Sequence, residues 1–233
     1  MSEPIPTGCT SIDDLLGGGF ERGAVTQVYG PPAAGKTNLA LAAATEVAAG
    51  GDKSLYIDTE GVSVDRFEQL AAAHARDGQT LEDIAGRVII TDALDFQEQE
   101  EAVRDAEAFA DQVDLIVLDS ATGFYRLERD RDDGGETLRT VARQITHLLS
   151  LARKHDIAVV ATNQVFTDPD SDSDRVKPLG GNTLTHWSGV VLRVERFRGG
   201  IRRATLEKHR SKPAGETARF KITGDGLEPV EEE

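Results

Sequence analysis

The chain has 233 residues, 39% of them hydrophobic, and a formal net charge of −15 at pH 7. This length and apolar content suffice for one substantial core, and no apolar run is long enough for a membrane-spanning helix. The first residues lack a signal-peptide pattern, and the single cysteine, Cys9, excludes an internal disulfide. We therefore expect a single-domain cytoplasmic protein with no membrane partner.

The acidic charge reflects an unusual balance of residue types. The sequence holds 7 lysines against 19 arginines, together with many aspartates. This composition resembles that of proteins from salt-loving archaea, whose surface charge keeps them soluble where concentrated salt screens self-repulsion. The net charge therefore says little about the partner.

Apolar strand-like runs alternate with helical patterns over most of the chain. Strands are predicted at residues 25–29, 54–58, 88–91, 115–119 and 158–162, and helices at 36–49, 64–75, 98–111 and 136–155. This alternation is typical of an α/β fold with a mostly parallel sheet flanked by helices. Short β-runs at 190–195, 203–208 and 218–223 predict a C-terminal antiparallel extension of the same sheet. Residues 1–24 are taken as an N-terminal lead-in and 225–233 as an acidic tail.

Residues 30–37, reading GPPAAGKT, fit the phosphate-binding loop pattern GxxxxGK[ST] and lie between a predicted strand and a predicted helix. In this pattern glycines let backbone N–H groups face a phosphate, Lys36 reaches the β- and γ-phosphates, and the Thr37 hydroxyl ligates Mg²⁺. The strand and helix on either side favour this interpretation over an ordinary glycine-rich turn. The predicted nucleotide-binding residues are Gly30, Pro31, Pro32, Ala33, Ala34, Gly35, Lys36 and Thr37.

Three further residues stand at the ends of predicted strands. Asp119 ends an apolar strand, from which its carboxylate could support the Mg²⁺ shell, although many buried strands end in Asp. Glu60 follows the strand at 54–58 and could orient the attacking water, or it could merely solvate a strand end. Gln164 follows the strand at 158–162 and could sense the γ-phosphate, or it could belong to a simple turn.

The stretch between positions 193 and 212 carries eight basic residues against two acidic ones. In an acidic chain it forms an electropositive island, although short basic runs are often just a solvated strand face. If the strand continues, Lys208, Arg210 and Lys212 point to one side and His209 to the other. A cation here would suit a DNA strand or a developing γ-phosphate charge.

Five blocks, at residues 7–37, 56–61, 115–120, 163–165 and 180–196, resemble the core of the RecA/RadA recombinases, and in particular the short archaeal paralogues of RadA. The resemblance covers nearly the whole chain in the same order of blocks. It implies one RecA-like P-loop ATPase domain over 1–233 that binds ATP with Mg²⁺.

The resemblance also implies a role for each matching residue. Thr37 and Asp119 would serve the metal, Glu60 would be the catalytic glutamate, and Gln164 would be the nucleotide-sensing glutamine. Related recombinases place basic residues near the island to contact ATP across a subunit boundary, so DNA contact and ATP contact in trans both remain open. The candidates for either contact are Lys208, Arg210, Lys212, Arg202 and Arg203.

By the same resemblance, the protein would act in DNA repair and homologous recombination, binding single-stranded or branched DNA with weak ATPase activity and no strand exchange of its own. Its partners would be the RadA recombinase and a Holliday-junction resolvase, and it could form a homo-oligomer. ATP would act mainly as a switch that orders residues 165–180.

The sequence also departs from a full recombinase. Only 29 residues precede Gly30, so an N-terminal helix-hairpin-helix domain is not expected, and no Phe-x-x-Ala docking segment occurs. Ala33 and Ala34 stand where relatives often have Gly or Ser, which suggests slow turnover.

The segment expected to bind DNA, between Gln164 and Gly180, is acidic. It contains four alternating aspartates, which would repel a DNA backbone; these are Asp168, Asp170, Asp172 and Asp174. Ser173 and Leu179 stand where a calcium loop needs Gly and Glu, so we do not predict a Ca²⁺ site. Two alternative functions stay open. A self-sufficient strand-exchange recombinase would need a docking segment and a more basic loop, whereas a KaiC-like regulatory ATPase shares the same core and does not bind DNA.

Overall fold

A sheet covered by helices on both faces organises the protein. The computed structural model describes residues 2–76, 78–125, 135–166 and 177–231. Its strands are β1 (Val25–Tyr29), β2 (Ser54–Asp58), β3 (Val88–Asp92), β4 (Leu115–Asp119), β5 (Ala158–Asn163), β6 (Val165–Phe166), β7 (Lys177–Pro178), β8 (Val190–Arg196), β9 (Ile201–Lys208), β10 (Thr217–Thr223) and β11 (Gly226–Val230). Its α-helices are α1 (Thr10–Leu16), α2 (Lys36–Gly50), α3 (Val64–His74), α4 (Leu81–Ala85), α5 (Phe96–Asp105), α6 (Gly135–His155) and α7 (Gly181–Trp187).

Nine of the described strands form one sheet in the order β11-β10-β9-β8-β1-β5-β4-β2-β3. The six strands from β8 to β3 in this order run parallel, whereas the neighbours from β8 to β11 pair antiparallel. Strands β1, β2, β4 and β5 are buried along their whole length, as their near-continuous apolar sequences require. The predicted fold class is confirmed.

Two apolar clusters cover the two faces of the sheet. One joins α1, α2 and α3 to the sheet and includes Leu39, Tyr56 and Val160. The other joins α5 and α6 to the opposite face and includes Ile116 and Leu148. Within the described residues no helix is long and apolar enough to cross a membrane.

Two sequence predictions need correction at the level of secondary structure, and a third region gains an unpredicted helix. The helix predicted at 98–111 begins instead at Phe96, because Asp95 caps it by accepting a hydrogen bond from the Glu98 N–H at 2.8 Å, and it gives way to a 3₁₀ turn after Asp105. The tail predicted at 225–233 contains strand β11, which pairs with β10 and buries Leu227. The lead-in contains α1, whose apolar face is buried against β10 and β11.

Candidate nucleotide-binding site

The loop between β1 and α2 has the backbone of a tight phosphate loop. Gly35 has φ of +108° and Ala33 has φ of +57°, both in the left-handed region. A glycine adopts this region freely, whereas alanine does so at a cost of about 1 kcal/mol, so Ala33 holds a strained backbone conformation. The slow turnover expected from this residue stays a prediction. Gly30 lies against β8, where an added Cβ would stand 1.9 Å from the Val194 carbonyl oxygen.

The Lys36 side chain is enclosed by this loop. The residue is 8% exposed, and its ammonium donates to the carbonyls of Gly30 at 3.0 Å and Pro31 at 3.2 Å. Burial lowers the pKa of Lys36, and the carboxylates of Glu60 and Asp119 act in the opposite direction. Among the described residues, the hydrogen-bond acceptors of this buried cation are neutral carbonyls, and such a cation suits an anionic ligand such as a phosphate group.

Asp119 is the buried carboxylate at the end of β4. It is 1% exposed and accepts a hydrogen bond from Tyr56 Oη at 2.6 Å and a short one from Thr162 Oγ1. Thr37 lies near this carboxylate, since its side chain is among the groups that lower the pKa of Asp119, and the two predicted metal-supporting residues are therefore neighbours. Burial raises the pKa of Asp119 above the ordinary aspartate value, and the hydrogen bonds only partly offset this.

Glu60 lies at the end of β2 in a loop that Asp58 holds in place. The Asp58 carboxylate accepts three backbone N–H groups, from Glu60 at 3.0 Å, Gly61 at 2.9 Å and Val62 at 2.5 Å. Glu60 Oε1 in turn accepts hydrogen bonds from Ser120 Oγ at 2.9 Å and from Gln164 Nε2 at 3.0 Å. The three strand-end residues singled out in the sequence, at 60, 119 and 164, therefore meet at one edge of the sheet.

A second layer of polar contacts fixes Gln164, and the sequence patterns did not reveal it. The Gln164 N–H donates to Thr122 Oγ1 at 3.1 Å, and that hydroxyl donates to Asn163 Oδ1 at 2.7 Å. The Asn163 amide donates to the Leu179 carbonyl at 2.8 Å, while the Leu179 N–H donates to the Gln164 carbonyl at 2.8 Å. Buried Thr and Asn after strand ends are the available signal, but such residues are also common in plain turns.

Lys208 and Lys212 both serve helix ends. Lys208 Nζ donates to three backbone carbonyls at the end of α7, and Lys212 Nζ donates to the carbonyls of Asp14 at 2.7 Å and Leu15 at 3.0 Å in α1. Strand β9 ends at Lys208, as the predicted run 203–208 requires, so Arg210 and Lys212 lie beyond the strand and its alternation does not apply to them.

The three arginines of the predicted set contact acidic side chains or a nearby carbonyl rather than helix ends. The Arg203 guanidinium pairs with Glu195, with Nε 2.8 Å from Oε1, and Arg202 donates to the Gly200 carbonyl in the turn before β9. Arg210 Nη1 lies 3.5 Å from Glu21 Oε1 and its side chain is 44% exposed. The alternating aspartates at 168–174 lie outside the described residues.

The donor set fits ATP with Mg²⁺. It combines a buried ammonium, a glycine loop at a helix N-terminus, a threonine hydroxyl and a buried carboxylate beside it. A cluster of this kind on a RecA-like sheet is typical of RecA-like P-loop proteins. The chain belongs to the Rad51 family, whose model matches residues 3–230.

Comparison with named relatives shows which members of the family this chain resembles. The chain is 64% identical over 225 residues to the DNA repair and recombination protein RadB of Halobacterium salinarum, covering 96% of this chain and 94% of the relative. It is 45% identical over 229 residues to RadB of Methanococcoides burtonii, covering 97% and 98%. The crystal structure of the RadB recombinase superposes with a TM-score of 0.83 at 39% identity, covering 97% of this chain and all of that one. The predicted resemblance to the short paralogues of RadA is confirmed.

Proposed function

We propose that the protein is an ATP-binding DNA repair and recombination protein in which ATP acts as a switch. The observation that carries the proposal is the Glu60 carboxylate held by both Ser120 and Gln164. This one oxygen links the end of β4 to the end of β5, from which the segment 165–178 departs. A change in the hydrogen bonds of Glu60 Oε1 on nucleotide binding would therefore be transmitted to that segment.

In this proposal the loop residues 30–37 hold the phosphates, with Lys36 as the buried cation. Thr37 and Asp119 hold Mg²⁺, which supplies charge neutralisation for phosphoryl transfer. Glu60 is the residue placed to orient or deprotonate a water, with Gln164 fixing its carboxylate. Ala33 in the left-handed region and a Glu60 carboxylate shared by two donors are consistent with slow hydrolysis.

The DNA-related part of the proposal rests on the family and on the names of the relatives. We propose that the protein binds single-stranded or branched DNA and acts as an accessory to the RadA recombinase without exchanging strands itself. A Holliday-junction resolvase is the further proposed partner. Arg202, Arg203 and Arg210 remain candidates for DNA contact or for ATP contact across a subunit boundary.

The test of nucleotide binding compares Lys36→Ala with Lys53→Ala, which removes an exposed lysine elsewhere. Binding of a fluorescent ATP analogue is measured with Mg²⁺ in molar KCl. We expect Lys36→Ala to lose at least about tenfold in affinity, equivalent to about 1.4 kcal/mol, and Lys53→Ala to match the wild type. Equal affinity of the two variants would overturn the site assignment.

The test of the switch is made in cells. Survival after DNA damage is compared in strains that carry the wild type, Lys36→Ala or Lys53→Ala as the only copy. We expect Lys36→Ala to be as sensitive as a strain that lacks the protein. Full repair by Lys36→Ala would show that ATP is not needed for the function.

A further inference from the structure

A β-bulge in the β8–β9 pair changes which way two consecutive side chains face. Val191 pairs with Lys208 and Leu192 pairs with Leu206, so Glu207 is an extra residue on the β9 side. In a regular strand, Glu207 and Lys208 would point to opposite faces. The bulge lets both reach the face of the sheet that α7 covers, and bulges often re-aim side chains in this way.

Glu207 contacts the strand that leads into the phosphate loop. Its Oε2 accepts a hydrogen bond from Tyr29 Oη at 2.6 Å, and its Oε1 lies 3.1 Å from Arg193 Nε. Tyr29 is 3% exposed and immediately precedes Gly30. Burial raises the pKa of Tyr29, and the Glu207 carboxylate raises it further, so the hydroxyl remains a donor.

Lys208 contacts the end of α7. Its ammonium donates to the carbonyls of Ser188 at 2.7 Å, Thr185 at 2.8 Å and His186 at 3.4 Å. An ammonium has three donors and all three find partners here, at a helix C-terminus that attracts a cation. Burial lowers the pKa of Lys208, with the Arg210 charge acting in the same direction. Because all three of its donors are engaged, the Lys208 ammonium is poorly placed to bind a phosphate.

Helix α7 has seven residues, too few to be stable without tertiary contacts. It helps to line a cleft of about 780 Å³, which is also lined by Tyr29, Lys177, Arg193 and Glu207. Lys177 opens β7, which pairs with β6 directly after Gln164. The position of α7 therefore shapes the cleft beside the candidate switch.

We propose that the bulged pair Glu207–Lys208 is a positioning element that couples the phosphate loop to α7. Glu207 senses the end of β1 through Tyr29, and Lys208 holds the end of α7. Lys208 thus serves the fold around the cleft and is not a nucleic-acid ligand. Only the nucleotide dependence of the coupling rests on the proposed function.

Hydrogen exchange of the backbone amides at 182–190 tests the coupling, with and without Mg-ATP in molar KCl. We expect Lys208→Ala to speed this exchange at least about tenfold, whereas Lys221→Ala, at an exposed β10 lysine, leaves it unchanged. We expect Mg-ATP to slow this exchange in the wild type, and Tyr29→Phe, which removes only the hydroxyl, to abolish that slowing. Unchanged exchange in Lys208→Ala, or a full ATP response in Tyr29→Phe, would overturn the proposal.

Should Lys208→Ala fail to fold, Lys208→Arg takes its place. The planar guanidinium keeps the charge but holds its donors in a fixed fork, so it cannot reproduce the geometry with which the ammonium meets these three carbonyls. We expect it to speed exchange at 182–190 severalfold. Exchange identical to the wild type would count against the carbonyl contact.

The dependence of single-stranded DNA affinity on KCl separates positioning from phosphate contact. Loss of one phosphate contact lowers the slope of log K against log salt by about 0.7. We expect Lys208→Gln to keep the wild-type slope, and a reduced slope would overturn the proposal. If the wild type binds no DNA at all, the proposed function fails, while hydrogen exchange in Lys208→Ala still decides the role of Lys208.

Discussion

The side-chain amide of Gln164 donates a hydrogen bond to the Glu60 carboxylate, with 3.0 Å between Nε2 and Oε1. Gln164 follows β5 and Glu60 follows β2, yet the strands are not neighbours, because β4 lies between them. Ser120, at the end of β4, bridges this gap by donating to the same Glu60 oxygen at 2.9 Å. The strand order of the sheet is therefore what makes the contact possible.

We expect Gln164→Ala to bind ATP within about threefold of the wild type, since no contact to the phosphate loop is removed, and to lose its nucleotide response. The measurement is limited proteolysis of the segment 165–180 with and without Mg-ATP. Gln112→Ala, at an exposed glutamine, is the matched control. An ATP-dependent change that persists in Gln164→Ala would show that this bond does not carry the signal.

Gly30 is required by a close backbone approach. An added Cβ would stand 1.9 Å from the Val194 carbonyl oxygen, so Gly30→Ala must push β8 away from the phosphate loop. We expect it to lower the free energy of unfolding by about 2 kcal/mol or more and to weaken ATP binding. Gly224→Ala, where an added Cβ meets nothing within 4 Å, should be nearly neutral. Urea unfolding measures both, and equal midpoints would contradict this packing argument.

The Asp119 pKa predicts a pH dependence of stability. Burial raises this pKa in the folded state, so folding favours the protonated form, and the resulting stability is lost as pH rises through the raised value. Asp119→Asn cannot ionise. Its free energy of unfolding relative to the wild type should therefore increase as pH rises from about 4 towards neutrality. Urea unfolding over this range in constant KCl checks it, with Asp52→Asn as an exposed control; parallel curves for wild type and Asp119→Asn would refute it.

Arg66 ties the last hairpin to the nucleotide-binding helix. Its Nε donates to Asn38 Oδ1 at 2.7 Å and its Nη1 donates to the Thr223 carbonyl at 2.7 Å, joining α2, α3 and the β10–β11 turn. We expect Arg66→Ala to lower the free energy of unfolding by about 1 to 3 kcal/mol, because charge-assisted hydrogen bonds are lost. Arg153→Ala, at an exposed arginine in α6, is the control. An unchanged thermal midpoint in Arg66→Ala would contradict the role.

The main strands and the phosphate loop could be predicted because their signals are local. A run such as the apolar residues 115–118 can hardly avoid burial, and the loop pattern fixes both backbone and chemistry. The short helices α1, α4 and α7 could not be predicted, since seven residues or fewer carry too little periodicity and depend on tertiary contacts. Strand β11 could not be predicted because its glutamate and proline are uncommon in strands, yet pairing with β10 stabilises it.

The roles of the basic residues could not be read from the sequence for a different reason. Lys208 and Lys212 find their partners at helix ends far along the chain, at residues 185–188 and 14–15. A charge count records the ammonium groups but not the carbonyls that receive them. The bulge that directs Lys208 towards α7 likewise depends on the partner strand.

In the proposed function, ATP switches the protein and does not power it as a DNA-driven motor. The most direct test is ATP turnover by the purified protein in molar KCl, with and without single-stranded DNA, using Glu60→Gln as the blank. We expect slow turnover that depends on Glu60 and is indifferent to DNA. Strong stimulation by DNA would contradict the account and identify a working recombinase motor.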